Sequence, residues 1–496
     1  KGGCVKSSAE MEMFMDYITK DLQPFEVFRY FEELCQIPHG SGNVKEISDY
    51  CVQFAKLHQL KYRQDESYNV IIWKPASKGY EDKQTVILQG HLDMVAVKTV
   101  DCNKDMKTEG LDLVIEGDYL YAKNTSLGAD DGIAVAYSLA LLASDAIEHP
   151  ALEVIFTVDE EIGMLGATAM DLSDIKGRRM LNIDSEEEGY LLAGCAGGAT
   201  VKCKLKKEYH DFTGIHFDLT ICGATGGHSG VEIDKQRANT NELIGRLLDV
   251  LISRFEMKIK GIYGGEKDNA IATSSTAQLV ALEKDRQKIE AVIESELKIY
   301  QNEYAVTDPQ LNIKVEWKDS AKARCLTDVC GEKIVLLLNM LPNGVVKMSN
   351  DIKGLVQTSL NLGMIKDDAD CIELCYLIRS ALESEKNYLI RKLTLLTEYI
   401  DDICLVEGHY PAWEFMRESP LREKMECVYE KMYGKKAIIQ TIHAGLECGI
   451  IADKLPGLDC ISFGPDIQYI HTTREKLSIS STKRVWEYLI ALLKEI

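Results

Sequence analysis

The stretch that decides the fold is residues 85–93, which read TVILQGHLD. Its short apolar run predicts a strand that is buried on both faces, as in a parallel sheet. The run is followed by a glycine and then by His91 and Asp93. Alternation along an extended chain points these two side chains the same way. Because ligands bind beyond the carboxyl ends of strands in open α/β sheets, the stretch also predicts a polar site.

Similar apolar runs and helical patterns lie on both sides of this stretch. Strands that alternate with helices predict an α/β domain with a helix-covered sheet. The predicted strands are residues 70–73, 152–158 and 180–183, and the predicted helices are residues 24–37, 132–143, one that ends near His58 and a shorter one after Glu161.

The pattern changes after about residue 198 and returns near residue 409. The segment between has α+β character, with a predicted strand at 215–221 and amphipathic helices at 240–254 and 284–304. A chain of 496 residues is too long for one ordinary core, so two domains are expected. We predict a catalytic domain at 1–197 and 409–496 and an inserted domain at 198–408. The returning part has predicted helices at 421–433 and from about 481, and strands at 437–442 and 458–463.

The composition limits the classes of function. Hydrophobic residues make up 46% and charged residues 27% of the chain, which is typical of a soluble globular protein. No stretch approaches the roughly 20 apolar residues of a membrane helix. The net charge of -21 argues against a nucleic-acid partner, because such a surface repels phosphates. We therefore expect neither a membrane nor a nucleic acid as partner.

The cysteines and the first residues concern the cellular compartment. Fifteen cysteines without C-x-x-C spacing indicate reduced thiols in the cytoplasm. No apolar segment at the start of the sequence indicates secretion. The first ten residues, which begin with Lys1, resemble a processed end or an expression remnant and are excluded from the fold prediction.

Four further polar positions stand at the ends of predicted strands or at the start of a helix. Each has an ordinary explanation, such as charge at a helix N-terminus or a solvated acidic turn. Together with His91 they offer enough nitrogen and oxygen ligands for two metal ions. Residues 186–188, which are three glutamates, are expected to be surface. The four positions are GADDG at 128–132, the run Asp159-Glu160-Glu161, Asp184 and His471.

At these residues the sequence resembles the co-catalytic zinc peptidases that include aminoacylase, carboxypeptidase G and carnosinase. Three further motifs resemble the aminoacyl-histidine dipeptidase branch, namely IPHGSGN at 37–43, GGHSG at 226–230 and HAGLECG at 443–449. Many members have lysine at the position of Gly132, whereas this branch has glycine. The resemblance runs from about residue 24 to the last residue.

The resemblance implies a dipeptidase that cleaves substrates such as Xaa-His with two zinc ions. A site rich in carboxylates also suits Mn²⁺ or Co²⁺. Glu160 would act as general base on a water that bridges the metals, and Asp93 would orient His91. The peptide bond between Asp130 and Asp131 is expected to be cis. The implied ligands are His91, Asp130 and Asp184 for one ion and Glu161, Asp130 and His471 for the other.

The inserted domain would be the lid that binds the substrate. His228 resembles the lid histidine that reaches the substrate carbonyl. Asn269 and Arg379 are candidates for the substrate's carboxylate, since arginine can bind a carboxylate through two parallel hydrogen bonds. His443 and Gly445 are expected to line the substrate pocket. The remaining histidines are interpreted as structural or surface, and they are His39, His58, His149, His210, His216 and His409.

Two alternatives stay open at this point. An aminoacylase or a carboxypeptidase could use the same metal site, because specificity resides in the lid, and substrates with free and blocked C-termini would separate them. A non-catalytic, metal-stabilised binding protein would be expected to lack Glu160 or a ligand, and the sequence has them all. A homodimer, with the histidine donated across its interface, and a single chain that supplies its own histidine both remain open.

Overall fold

The structure is a computed structural model, and it describes residues 17–496. The first ten residues, which the sequence prediction set aside, lie outside the described residues. By its internal contacts the chain divides into two units. The first unit comprises the residues up to Gly194 together with Phe415–Gln440 and Leu446–Ile496, and the second comprises Cys195–Glu414 and Thr441–Gly445.

The boundaries of these units differ from the predicted domains at three places. Two are short shifts, since residues 195–197 and 409–414 group with the second unit rather than with the catalytic domain. Residues 441–445 were assigned to the catalytic domain, whereas they group with the second unit. The reason is visible in the hydrogen bonds, because the main-chain N–H of Ala196 donates to the carbonyls of Ile442 and Ala444, both at 3.1 Å. His443 and Gly445 therefore belong to the second unit.

The first unit is built on an eight-stranded mixed sheet. Its strands are β1 (Lys61–Gln64), β2 (Val70–Lys74), β3 (Val86–His91), β6 (Leu152–Thr157), β7 (Arg179–Asn182), β8 (Tyr190–Cys195), β18 (Ile438–Ile442) and β19 (Asp459–Ser462). They lie in the order β1-β2-β6-β3-β7-β19-β8-β18, and the central strands β6, β3, β7 and β19 are parallel. Every residue of β3 and β6 is buried, as expected for parallel strands that are covered on both faces.

Helices cover this sheet. They are α1 (Phe25–Cys35), α2 (Lys45–Leu57), α3 (Ala129–Ala143), α4 (Leu165–Ala169), α9 (Pro420–Tyr433), α10 (Glu447–Lys454) and α11 (Ile479–Glu495). Helix α3 packs on both β3 and α1. It is buried along its whole length, which explains why its sequence shows no polar face.

A second, four-stranded sheet in the first unit carries one of the predicted ligands. It consists of β4 (Leu113–Glu116), β5 (Tyr119–Ala122), β20 (Ile467–Gln468) and β21 (Lys476–Ser478), in the order β20-β21-β5-β4. Strands β20 and β21 form an antiparallel hairpin, and His471 lies in its loop at residues 469–475. None of these four short strands was predicted from the sequence.

The second unit is an antiparallel nine-stranded sheet with helices packed on it. Its strands are β9 (Gly197–Lys206), β10 (Tyr209–Cys222), β11 (Met257–Gly264), β12 (Ser275–Ala281), β13 (Asn312–Leu326), β14 (Gly344–Met348), β15 (Val356–Asp367), β16 (Cys371–Ser380) and β17 (Ile403–Tyr410). Its helices are α5 (Thr240–Ile252), α6 (Arg286–Glu303), α7 (Asp328–Met340) and α8 (Glu383–Tyr399). Each unit has its own hydrophobic core.

Two general features of the described residues bear on the sequence predictions. Every cysteine within residues 17–496 is free. Over the same residues, no helix combines the length and the apolar character that crossing a bilayer requires.

Candidate functional site

His91 ends strand β3 and points both ring nitrogens at polar partners. Its Nδ1 lies 2.9 Å from the main-chain carbonyl oxygen of Asp93, which can only accept, so Nδ1 carries the proton. In the neutral ring, Nε2 then presents its lone pair. Nε2 lies 3.2 Å from an oxygen of Asp130 and 3.6 Å from one of Asp184. The histidine is therefore held in the tautomer that suits a metal ligand.

The carboxylate of Asp93 has a role beyond the one expected from the sequence. It lies 3.6 Å from Nδ1 of His91, whereas the main-chain carbonyl of Asp93 makes the closer contact. The carboxylate instead accepts the main-chain N–H groups of Glu160 at 3.0 Å and Glu161 at 3.3 Å and the hydroxyl of Ser41 at 2.8 Å. Asp93 thus fixes the acidic turn after β6 as well as the ring of His91.

Asp130 lies between the two histidines. One of its oxygens is 3.2 Å from Nε2 of His91, and the other is 3.1 Å from Nε2 of His471. The peptide bond between Asp130 and Asp131 is cis, as expected. The carboxylate of Asp131 turns to the strand instead and accepts the main-chain N–H of His91 at 3.1 Å. A Cβ on Gly90 would lie 2.6 Å from that carboxylate, which explains the glycine in this motif.

The remaining acidic groups surround Asp130. Nε2 of His471 lies 2.8 Å from a carboxylate oxygen of Glu161. Three sets of three residues bring candidate ligand atoms within 4.8 Å of one another. These sets are His91, Asp130 and Asp184; Asp130, Glu161 and His471; and His91, Glu160 and Glu161. The first two sets contain the residues that the resemblance implied for each metal ion.

The ionisable groups of this cluster shift one another's pKa values. The carboxylates of Asp130 and Glu161 raise the pKa of His471 to about 10. Burial opposes protonation of His91, but the neighbouring carboxylates outweigh it and raise its pKa well above the usual value. Burial raises the pKa of Asp184 to about 6. Burial, reinforced by nearby carboxylates, also raises the pKa of Glu160 well above its ordinary value. A cluster of this kind favours a cation.

The donor set fits divalent metal ions. Two imidazoles and three carboxylates are ligands that zinc, manganese and cobalt all accept. Ligand atoms at about 2.0–2.2 Å from a tetrahedral ion stand about 3.3 Å apart. The separations of 3.2 Å and 3.6 Å around Nε2 of His91, and of 3.1 Å between His471 and Asp130, match that spacing. One carboxylate oxygen of Asp130 faces His91 and the other faces His471, as a bridging ligand requires.

Two acidic residues near this cluster were missed or misread from the sequence. Glu447 is fully buried, and one of its oxygens accepts from Gln89 at 2.7 Å and from Thr157 at 2.5 Å. It lies in the HAGLECG motif, from which a place near the site could have been predicted. Glu186 was expected to be surface, but it is partly buried, and burial together with Asp130 and Asp184 raises its pKa to about 8.

The second unit contains a separate polar cluster around Arg379. Arg379 lies in β16 and is 7% exposed, and its Nη1 donates to the hydroxyl of Tyr410 at 3.0 Å. Its Nε is buried without a hydrogen-bond partner. Ser359, which is opposite Arg379 in the sheet, contacts Nε2 of His443 at 2.7 Å. Burial, aided by the charge of Arg379, lowers the pKa of His443 to about 3, so this imidazole is neutral.

His228 belongs to the same electrostatic cluster. Its Nδ1 accepts the main-chain N–H groups of Gly230 and Val231, both at 3.2 Å. Burial and the charge of Arg379 lower its pKa, so the ring is neutral near pH 7. Because Nδ1 is an acceptor, Nε2 carries the proton. The loop therefore holds His228 as a hydrogen-bond donor through Nε2.

Two further residues were predicted to bind the substrate, and one of them, Asn269, lies near this loop. The carbonyl of Asn269 accepts the N–H of Ser229 at 2.9 Å, so Asn269 lies beside the GGHSG loop with an exposed side chain. Asn361 donates to the carbonyls of Asp268 and Ala270, which flank Asn269, and thereby fixes this turn. Gly445 lies two residues after His443 and is partly buried.

Comparison with known proteins gives matches over nearly the whole chain. The model of "Peptidase family M20/M25/M40" matches residues 87–495. The cytosol non-specific dipeptidase of Escherichia coli (strain K12) is 34% identical over 477 residues, which cover 96% of this chain and 98% of that protein.

Solved structures give the same picture. The aminoacylhistidine dipeptidase from Vibrio alginolyticus matches with a TM-score of 0.91 and 33% identity, over 97% of this chain and 98% of that chain. Aminopeptidase PepT from Bacillus cereus ATCC 10987 matches with a TM-score of 0.54 and 16% identity, over 96% of this chain and 99% of that chain. The second match shows a likeness of fold alone.

Proposed function

The chain belongs to peptidase family M20/M25/M40, and from that premise we propose that it is a dipeptidase with two metal ions and Glu160 as general base. The observation that carries the proposal is the position of Asp130 between His91 and the pair of His471 and Glu161. The relatives from E. coli and V. alginolyticus, both named dipeptidases, support the substrate class. The resemblance stated from the sequence motifs is confirmed by these matches.

We assign one metal ion to His91, Asp130 and Asp184 and the other to Glu161, Asp130 and His471. When bound, such ions supply Lewis acidity, which polarises a carbonyl and makes a nearby water more acidic. The number and identity of the ions are part of the proposal, with zinc favoured by the nitrogen and oxygen donors. Asp93 contacts the proposed ligands His91 and Glu161 and the proposed base Glu160. These contacts hold the three residues in fixed positions relative to one another.

Glu160 moves the protons of the reaction. Its carboxylate takes a proton from the attacking water and returns it to the amine that leaves. The environment suits this role, because burial and neighbouring carboxylates raise its pKa and make it a stronger base than an exposed glutamate. The main-chain N–H bonds to Asp93 hold the turn while the side chain remains available.

We assign substrate binding to the polar cluster of the second unit. The Nε2–H of His228 would donate to the carbonyl oxygen as negative charge develops on it. The guanidinium of Arg379 would bind the terminal carboxylate through its unpartnered Nε–H, and Asn269 would assist. His443 and Gly445 would line the pocket. The name of the E. coli relative and the free cysteines support a cytoplasmic location.

The function is tested with a substrate panel. The purified protein is assayed on carnosine, several Xaa-His and unrelated dipeptides, and N-acetylated amino acids, before and after dialysis against a chelator. We expect hydrolysis of dipeptides, loss of activity after chelation and recovery when Zn²⁺, Mn²⁺ or Co²⁺ is restored. If only the N-acetylated amino acids are hydrolysed, the protein is an aminoacylase and the dipeptidase assignment is wrong. Binding of metal without any turnover would favour a non-catalytic binding protein.

Arg379 gives a sharper test of the substrate class. Replacement by methionine is expected to raise KM for dipeptides about 10–100-fold, since a charge-assisted hydrogen bond contributes about 1.5–3 kcal/mol. The wild-type enzyme should also prefer a dipeptide with a free carboxylate to its amide, and the variant should lose this preference. Arg391→Met, which replaces an exposed arginine on α8, is the matched control. An unchanged preference in Arg379→Met would show that another group binds the carboxylate.

A further inference from the structure

Glu475 is a buried carboxylate that the proposed chemistry does not use. It is 3% exposed and ends the hairpin loop that carries His471, directly before β21. Its two oxygens face a row of main-chain N–H groups at the start of helix α3. One oxygen accepts from Leu127 at 2.8 Å and Gly128 at 3.1 Å, and the other accepts from Ala129 at 2.8 Å and Asp130 at 3.4 Å.

The hydrogen bonds between Glu475 and these N–H groups are strong for two physical reasons. The first N–H groups of a helix have no partner within the helix, and the dipole there favours a negative charge. Hydrogen bonds to an ionised carboxylate are shorter and roughly twice as strong as neutral ones. Glu475 satisfies several of these groups at once, and a shorter or uncharged side chain would do so less well. The contact therefore joins the base of the hairpin firmly to the segment that carries Asp130.

The contact between Glu475 and the start of helix α3 is important because each of the two segments carries a proposed metal ligand. The side chain of His471 is 44% exposed and sits on a loop that closes on itself, since the hydroxyl of Thr472 donates to the carbonyl of Tyr469 at 2.7 Å. The distance of 3.1 Å between Nε2 of His471 and the oxygen of Asp130 therefore depends on where the base of the hairpin lies. Glu475 sets that position from four residues away.

We propose that Glu475 is a positioning residue that holds His471 at the correct distance from Asp130 and thereby sets the affinity of the metal site they share with Glu161. The inference rests on the proposed metal-dependent function. Glu475 itself contacts neither ligand side chains nor substrate in this role, because all its partners are main-chain N–H groups. Outer partners of this kind typically change metal affinity about 10–100-fold when they are removed.

The test compares Glu475→Gln and Glu475→Asp with a matched control. Glutamine keeps the size of the side chain, but its NH₂ group cannot accept a hydrogen bond from the main-chain N–H groups that it would face. Aspartate keeps the negative charge but is one methylene shorter. The control is Glu153→Gln. Glu153 is also 3% exposed and accepts the main-chain N–H groups of Lys176 at 3.0 Å and Gly177 at 2.8 Å, near the beginning of β6 rather than after its end.

Each protein is stripped of metal, checked for folding by circular dichroism and thermal denaturation, and titrated with Co²⁺ by visible absorption and equilibrium dialysis. We expect the wild type and Glu153→Gln to bind two ions alike. Glu475→Gln should bind one ion normally and the other about 10–100-fold more weakly, with an altered absorption band, and Glu475→Asp should lie between. Unchanged binding of both ions by folded Glu475 variants, or an equal loss in Glu153→Gln, overturns the inference. A wild type that binds no metal overturns the proposed function instead.

Discussion

Replacement of Glu160 by glutamine is expected to lower kcat for dipeptides by about 10²–10⁴-fold while the metal content stays unchanged. Glutamine has the same size but cannot take a proton from water. The hydrogen bond from the main-chain N–H of residue 160 to Asp93 does not depend on the side chain, so the turn should keep its shape. The measurement is kcat and KM on the best dipeptide of the panel, together with metal analysis of the same sample.

The control for this variant is Glu187→Gln, which replaces an exposed carboxylate three residues after Asp184. It should retain wild-type kcat and metal content. If Glu160→Gln keeps its rate within tenfold of the wild type, the base lies elsewhere. Glu447 would then be the next candidate, because burial raises its pKa to about 7 and one of its oxygens is buried without a partner.

The sequence predicted much of the first unit because its signals are local. Buried parallel strands read as short apolar runs, so residues 152–158 and 180–183 were found and appear as Leu152–Thr157 and Arg179–Asn182. The polar residues that follow such runs could be named in advance. They converge for a general reason, since parallel neighbours end at the same edge of the sheet.

The parts that were missed depend on contacts between distant segments. Strands β4, β5, β20 and β21 have two to four residues each, too few to show a period of two. Glu475 meets the helix start some 346 residues earlier in the chain, and no local pattern records this contact. The carboxylate of Asp93 was expected to orient His91, whereas its hydrogen bonds go to the turn after β6 and to Ser41. The catalytic and ligand roles themselves stay predictions that the variants here address.

The bridging position of Asp130 leads to the second large effect. Asp130→Asn is expected to reduce the metal content from two ions to one or fewer per chain and to lower kcat by about 10³-fold or more, as expected when several kcal/mol of metal-based stabilisation are lost. An amide offers one carbonyl oxygen as ligand, and its NH₂ group cannot bind a cation. The side chain would therefore have nothing to offer one of the two ions. Metal analysis after dialysis and steady-state kinetics measure the two effects.

Two comparisons show whether the loss comes from bridging rather than from a general change of charge. Asp82→Asn removes an exposed carboxylate from a loop of the same unit and should leave metal content and kcat unchanged. Asp184→Asn changes a residue that is proposed to bind a single ion. It should therefore weaken the binding of that ion and leave the binding of the other ion unchanged. If Asp130→Asn retained two tightly bound ions, Asp130 would not be the shared ligand. The two metal sites would then have to be joined through Glu161, which lies within reach of both His91 and His471.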